Sequence, residues 1–429
     1  IGRAGVIIYD HLVSGELLGY ARKDDRLIYA GKKGGDNTLP QEEINRLLVA
    51  EAQQGHVVAR LKGGDPFIFG RGGEEAEVLA AAEIPFEVVP GVTAAVAVPA
   101  YAGIPLTHRG LTSTLAFVTG HEDPTKEKSD IDWASLAGIG TLVFFMGVKN
   151  LARITAALIA HGKDPQTPAA LIRWGTTADQ ETVAGTLADI AALAAARGFT
   201  PPSLLVVGPV AGLRETLRWF DNRPLFGKGV VITRPEAQAE SFADLLREEG
   251  ARPIHFPTIK IVPPPAWTEL DAALDSLAGY DWIVFTSANG VRFFMARLRE
   301  RGGDLRDLKG IRLAVIGPAT AKMLAEMGLR VDLVPAEYIS EGVVQAFAGQ
   351  DVRGKQILLP RAAEARDVIP AGLAQMGAQV DVITVYRTVA SDRRAEELMP
   401  LIDTGKVDVI TFTSPSTVHN FLAIMGPEF

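Results

Sequence analysis

The feature that most constrains this chain is a repeat inside its second half. KGVVITRP at 228–235 leads through a helical stretch to Gly250-Ala251, a strand, and DWIVFTSANGVRFF at 281–294. KQILLPRA at 355–362 leads through a helical stretch to Gly377-Ala378, a strand, and DVITFTSPSTVHNF at 408–421. Each landmark returns 127 positions later: Lys228 and Lys355, Arg234 and Arg361, Gly250 and Gly377, Asp281 and Asp408, Thr286 and Thr413, Ser287 and Ser414, Phe294 and Phe421. A constant offset over so mixed a set of residues predicts two similar α/β lobes. The chain is expected to cross between them around 260–266 and 387–392. That assigns 228–262 plus 390–429 to lobe one and 266–387 to lobe two. The first copy continues through RLAVIGPATAKMLAEMGLRVDLVP, 312–335, whereas the second stops at Phe429, so the repeat predicts a truncated C-terminus.

The same strand–helix alternation fills the first half. Val6–Tyr9, Val57–Leu61, Leu142–Met146 and Leu204–Val207 are short apolar runs bounded by Gly, Pro or charge, and read as buried strands. Helical patterns such as Gln41–Gln54 lie between such runs. DNRPLFGKG at 221–229 breaks an amphipathic helix before a new strand and marks the boundary between the halves. Length alone, 429 residues, suggests roughly three domains. The patterning instead predicts two nearly equal halves.

Composition narrows the chemistry. There is no cysteine, which excludes disulfides, zinc ribbons, iron–sulfur sites and thiol nucleophiles, and no metal site is expected. Acidic residues outnumber basic ones, 51 to 43, for a net charge of -8, and no sustained basic run stands out. A nucleic-acid partner is therefore not expected, although a local Arg and Lys cluster can still hold an anion. No apolar run reaches the ~18 residues needed to span a bilayer. The chain opens IGRAG, without Met or the apolar core of a signal peptide, which predicts a cytoplasmic protein and a missing N-terminal segment.

The richest motif is LKGGDPFIFGRGGEEA at 61–76, where a buried strand delivers Gly63, Gly64 and Asp65 into a loop and Gly72-Gly73 opens a helix. Glycines admit close approach of backbone to a ligand, and strand carboxyl ends are the usual crevice of open α/β sheets. No GK[ST] follows, which disfavours a phosphate loop. Thr93-Ala94-Ala95, after a Pro-Gly turn, either faces a flat ligand or permits close helix packing. His108 and Arg109 offer polar groups or a solvated loop. Asp10 ends one strand and Lys32 follows another; such a pair suits proton transfer, or simply caps strands in solvent. In the second half, Thr286-Ser287 and Thr413-Ser414 sit at equivalent strand ends. They suit carboxylate recognition, helix N-capping, or both. Tyr386 lies near the crossing, where a tyrosine packs or donates a proton.

Residues 1–223 resemble uroporphyrinogen-III C-methyltransferase through YDHLVS, AGKKGG, LPQEEIN, the GGDPF to GRGGEEA block, PFEVVPGVTAA, AYAGIPLTHR, FVTGHE, VFFMG, Trp174-Gly175-Thr176 and SLLVVGPVAGLRETLRWF. Residues 228–429 resemble uroporphyrinogen-III synthase through VVITRPEAQA, YDWIVFTSANGV, VIGPATAKML, AEYISEGVV, LLPRAAEARD, VYRTV and TFTSPSTVHNF. The resemblance implies a two-lobed α/β tetrapyrrole methylase fold, with lobes at about 1–115 and 116–223, followed by a two-lobed, internally duplicated α/β synthase fold. It implies S-adenosylmethionine as cofactor, lined by Gly63, Gly64, Asp65, Ile68, Thr93, Ala94, Met146 and Gly175. Asp10 and Lys32 match the proposed acid–base residues, and Tyr386 matches the proposed proton donor of the synthase. The substrates implied are uroporphyrinogen III, methylated to precorrin-2, and hydroxymethylbilane, cyclised to uroporphyrinogen III. Arg60, Lys62, Arg71 and Arg109 would form a basic cleft for the first; Ser287, Thr320 and Ser414 would hold carboxylates in the second. The family is also dimeric through its methyltransferase half, and begins with a strand and glycine-rich loop that this sequence lacks. The sirohaem and cobalamin branches both stay open. The alternatives are another corrin-pathway methyltransferase, one with an unrelated substrate, and a non-enzymatic bilobal binder.

Overall fold

The computed structural model describes residues 1–31, 39–120, 130–426 and 429. The chain forms two compact units, Ile1–Lys228 with Arg247–Arg252, and Gly229–Leu246 with Pro253–Phe429.

The first unit opens with three parallel strands, β1 (Val6–Tyr9), β2 (Arg26–Tyr29) and β3 (Val58–Leu61), in the order β2-β1-β3. Val6, Ile7 and Ile8 are all buried, because the central strand of a parallel sheet is covered on both faces. The helix Gln41–Gln53 covers one face, with Ile44 and Leu48, one turn apart, packed beside Val6 and Ile8.

The second sheet holds β4 (Leu115–Thr119), β5 (Thr141–Phe145), β6 (Pro168–Arg173), β7 (Glu181–Thr186) and β8 (Ser203–Val207), ordered β4-β5-β8-β6-β7. β4 and β5 pair in parallel, while the β5–β8, β8–β6 and β6–β7 pairs are antiparallel. Side chains alternate between its two faces: Leu142, Phe144, Leu171 and Leu205 enter one cluster, Val143, Ile172, Leu204 and Val206 the other. The helix Ala94–Tyr101 puts Ala95 into that second cluster, with Val98 beside it, so packing accounts for Ala95.

The second unit shows the duplication as geometry. β9 (Gly229–Ile232), β10 (Arg252–His255) and β16 (Val409–Thr411) form a sheet ordered β10-β9-β16. β11 (Ile259–Val262), β12 (Trp282–Phe285), β13 (Arg312–Val315), β14 (Gln356–Ala362) and β15 (Gln379–Ala390) form another, ordered β11-β15-β14-β12-β13. The run β15-β14-β12 repeats β10-β9-β16. Register repeats too: Val409 opposes Val230 as Trp282 opposes Ile357, and both pairs of strands are parallel. The carboxylate of Asp408 accepts from Gly229 N–H at 2.8 Å, and that of Asp281 from Gln356 N–H at 2.9 Å. Gly250 and Gly377 turn at φ +87 and +89, left-handed values that favour glycine after a helix. The crossing is an antiparallel ribbon, Ile259 opposite Ala390 through Val262 opposite Arg387. One strand, β15, serves both the sheet and the crossing, because its first part pairs with β14.

Among the described residues, no helix is long and apolar enough to cross a membrane. The repeat's core anchors are Phe294, buried beside Phe285, and its counterpart Phe421, beside Phe256. Phe294→Ala is expected to cost about 3–5 kcal/mol by leaving a ring-sized cavity. The check is a urea titration followed by tryptophan fluorescence, with an unmoved midpoint as the contrary result.

Candidate functional sites

In the first unit, the loops that leave β1, β3, β5 and β6 converge. Gly64 turns at φ +77 with its α-carbon side set against Thr93 and Ala94. Asp65 ties the loop after β3 to the segment that leads into the helix Ala94–Tyr101: Oδ1 accepts from Phe67 N–H at 2.9 Å and Oδ2 from Gly91 N–H at 3.1 Å. A side chain at Gly91 would strike the Gly64 carbonyl, so the close approach requires glycine there. Gly175 sits against the side chain of Val98, again too close for a β-carbon. Gly63 lies beside Leu12 of the loop after β1. Phe69, from the loop after β3, packs on Phe145 of β5 with ring centroids 5.0 Å apart.

Backbone strain marks the same place. Six described residues other than glycine have positive φ, and five of them, Phe69, Arg71, Met146, Trp174 and Thr176, lie in these loops. Each such conformation costs about 1–3 kcal/mol and persists only where surrounding structure enforces it, commonly at ligand clamps. Met146 and Ile68 are partly exposed beside this strained backbone, and Thr93 is buried with no side-chain capping bond. Ala94 opens the helix behind it.

The polar side of the crevice differs from the basic cleft expected. Arg60 Nη2 donates to Asp10 Oδ1 at 2.7 Å, and Lys62 Nζ lies 3.7 Å from Asp10 Oδ2. Both cations also grip Glu75, Arg60 Nε at 3.2 Å and Lys62 Nζ at 2.9 Å. Arg71 donates twice to Glu74, at 2.9 and 2.6 Å. Three of the four expected cations are thus neutralised locally. Arg109 sits exposed in the turn closed by the His108–Thr112 bridge. Lys32 lies outside the described residues. Glu75 escaped the sequence reading because an acidic residue in a helix's first turn looks like an ordinary partner for the helix dipole.

In the second unit, a cleft of about 810 Å³ opens beside the crossing ribbon. Lys260, Asn289, Arg292, Phe293, Arg393 and Glu397 are among its lining residues. Lys260 pairs with Asp392 and Arg393 with Glu397, whereas Arg292 has no acidic partner among the described residues. Of the cations lining the cleft, Arg292 is therefore the one without an ion pair among the described residues. Sequence reading missed it because nothing distinguishes its position on the helix Ala288–Glu300 from an ordinary solvated face.

Tyr386 lies just behind the cleft wall. Its ring stacks on Phe293, centroids 5.9 Å apart, and its hydroxyl is 2.9 Å from Ser287 Oγ. Burial raises the phenol's pKa; the Ser287 contact opposes that and the charge of Glu364 reinforces it, so burial prevails. Ser287 also caps its helix by accepting from Gly290 N–H at 3.0 Å. Ser414 caps the equivalent helix through Thr417 N–H. Thr320 is buried near the start of the helix Pro318–Glu326.

A family model described as tetrapyrrole (corrin/porphyrin) methylases matches residues 1–191, and one described as uroporphyrinogen-III synthase HemD matches residues 240–429. The porphyrin biosynthesis protein HemD of Ruminiclostridium josui is 37% identical over 99% of this chain and 84% of its own length. The S-adenosyl-L-methionine-dependent uroporphyrinogen III methyltransferase of Methanosarcina barkeri is 55% identical over 51% of this chain and 86% of its own. A crystal structure of uroporphyrin-III C-methyl transferase from Thermus thermophilus, complexed with S-adenosyl homocysteine, is 37% identical over 49% of this chain and 88% of its own, with a TM-score of 0.41. The chain belongs to the tetrapyrrole methylases through its first half and to the uroporphyrinogen-III synthases through its second, fused in one polypeptide.

Proposed function

We propose that the first half methylates two pyrrole carbons of uroporphyrinogen III to give precorrin-2, and that the second half cyclises hydroxymethylbilane to uroporphyrinogen III. The observation that carries the first assignment is the concentration of strained, closely approaching backbone in the loops of one crevice. Closely approaching backbone beside the apolar side chains Ile68 and Met146 suits a ligand that is part apolar ring and part polar tail, as S-adenosylmethionine is. When bound, S-adenosylmethionine supplies an electrophilic methyl group to an electron-rich pyrrole carbon. The chain's own task is alignment for in-line attack. Gly63, Gly64, Thr93, Ala94 and Gly175 let the loops close on the cofactor. Asp65 holds two of those loops, and Asp10 accepts the proton that the macrocycle sheds for each carbon–carbon bond formed. Lys32 is assigned to the same proton handling from its motif, and Arg71 and Arg109 to substrate carboxylates.

In the second half, ring closure requires loss of hydroxide from the hydroxymethyl group, eased by a proton donor. Tyr386, whose pKa burial raises, keeps its proton through neutral pH and passes it through the Ser287 contact. Arg292 anchors one substrate carboxylate, with Ser287, Thr320 and Ser414 assigned to the others. The first half is further proposed to form a homodimer in the cytoplasm. Phe86, Val88, Val89 and Val92 leave apolar surface exposed on it, and the absence of cysteine suits a reducing compartment. Sedimentation of a monomer, or fractionation with membranes, would count against that pair of statements.

Asp65→Ala removes two hydrogen bonds to a charged acceptor and is expected to weaken S-adenosylmethionine binding at least tenfold, on the order of 1.5–3 kcal/mol. Isothermal titration reads this directly, and unchanged affinity sinks the assignment. Tyr386→Phe is expected to lower synthase turnover by about 10²-fold or more. Arg292→Gln should instead raise KM for hydroxymethylbilane with kcat nearly intact. Because the Tyr386 pKa is raised, the alkaline limb of the synthase pH–rate profile should lie above pH 10, the ordinary phenol value. Full turnover in Tyr386→Phe refutes the donor role.

A further inference from the structure

Glu75 is the most heavily engaged buried acid near the methylase crevice, and the roles assigned above do not use it. A single oxygen, Oε1, accepts from Gln41 Nε2 at 3.1 Å, Arg60 Nε at 3.2 Å and Lys62 Nζ at 2.9 Å. The side chains of Glu75 and Lys62 are 6% and 8% exposed, so neither charge is left to water. Each cation has a second commitment. Arg60 Nη1 donates to the Leu61 carbonyl at 3.0 Å and its Nη2 to Asp10; Lys62 reaches toward the other Asp10 oxygen. The order is Glu75, then two cations, then the two oxygens of Asp10, with two positive and two negative charges in all.

From this geometry we propose that Glu75 is a positioning residue for methyl transfer. It fixes Arg60 and Lys62 so that together they orient the Asp10 carboxylate. The proposal rests on the reading of Asp10 as the proton acceptor. Two flexible cationic side chains hold a carboxylate in one orientation only if their own rotamers are fixed. The helix Gly72–Ala81 supplies that point, since Glu75 lies in its first turn and faces inward. A burial that served stability alone would leave no functional link between Glu75 and Asp10, because a buried acid of that kind merely balances the cations beside it.

The test is a double-mutant cycle in the full chain, assayed by transfer of labelled methyl to uroporphyrinogen III. Glu75→Gln is expected to lower kcat about ten- to a hundredfold, with KM for both substrates within about twofold. In an Asp10→Asn background the same substitution should lower kcat no further. Lys62→Met should behave alike, and decides the matter if Glu75→Gln does not fold. An additive loss in the Asp10→Asn background, or a rise in KM with kcat intact, overturns the proposal. If Asp10→Asn is slow but Glu75→Gln and Lys62→Met are not, the positioning role alone falls. Full turnover in Asp10→Asn removes the proton-acceptor reading and this inference with it.

Discussion

A parallel strand can be followed by another only through a crossover, and that constraint shapes both halves of the molecule. Because each crossover returns the chain to the same edge, the carboxyl ends of neighbouring parallel strands gather on one side of the sheet. In the first half this puts the loops after β1 and β3 at one end of their sheet, where they meet the loops after β5 and β6 of the other sheet. In the second half it places the helix caps Ser287 and Ser414 at matching strand ends. The apolar burial that holds the strands pays no regard to chemistry, yet it decides where chemistry can occur.

Around the methylase crevice, close approach of backbone has been bought with glycine and strain rather than with side-chain contacts. Gly64, Gly91 and Gly175 stand where a β-carbon would collide with neighbouring backbone or side chain or require an unfavourable φ. Asp65 then stiffens the arrangement by accepting backbone N–H groups from two loops. The charges follow a related logic. Arg60 and Lys62 are too buried to stand unpaired, and with Asp10 and Glu75 they form a neutral set. Recognition of an octacarboxylate by the first half must therefore draw on cations other than this pair. In the cleft of the synthase half, Lys260 and Arg393 are paired, while Arg292 has no acidic partner among the described residues.

Much of the architecture was legible beforehand because it depends on local pattern. The 127-residue offset carried strand order and register with it, since Val409 opposite Val230 and Trp282 opposite Ile357 are the same pairing met twice. The antiparallel ribbon of Ile259–Val262 with Arg387–Ala390 overlaps the crossings expected around 260–266 and 387–392. The antiparallel pairings of β8 and β6 were not legible, because a buried apolar run such as Leu204–Val207 reads alike in either direction. The four-cation cleft failed for a related reason. A basic residue in sequence carries its charge, but only the fold shows which acid stands beside it.

The sequence by itself determined the halves, the repeat and the glycine-rich loops, because those follow from periodicity and from motifs contiguous in the chain, and it offered Asp10, Asp65, Ser287 and Tyr386 as candidates. Only the tertiary structure decided what faces what. It set Glu75 behind Arg60 and Lys62, Tyr386 against Phe293 and Ser287, and Arg292 in the synthase cleft with no acidic partner among the described residues. Such pairings join residues 13 to 99 positions apart, or, for Arg292, depend on which neighbours are already spoken for. They arise from sheet packing, which local sequence does not encode.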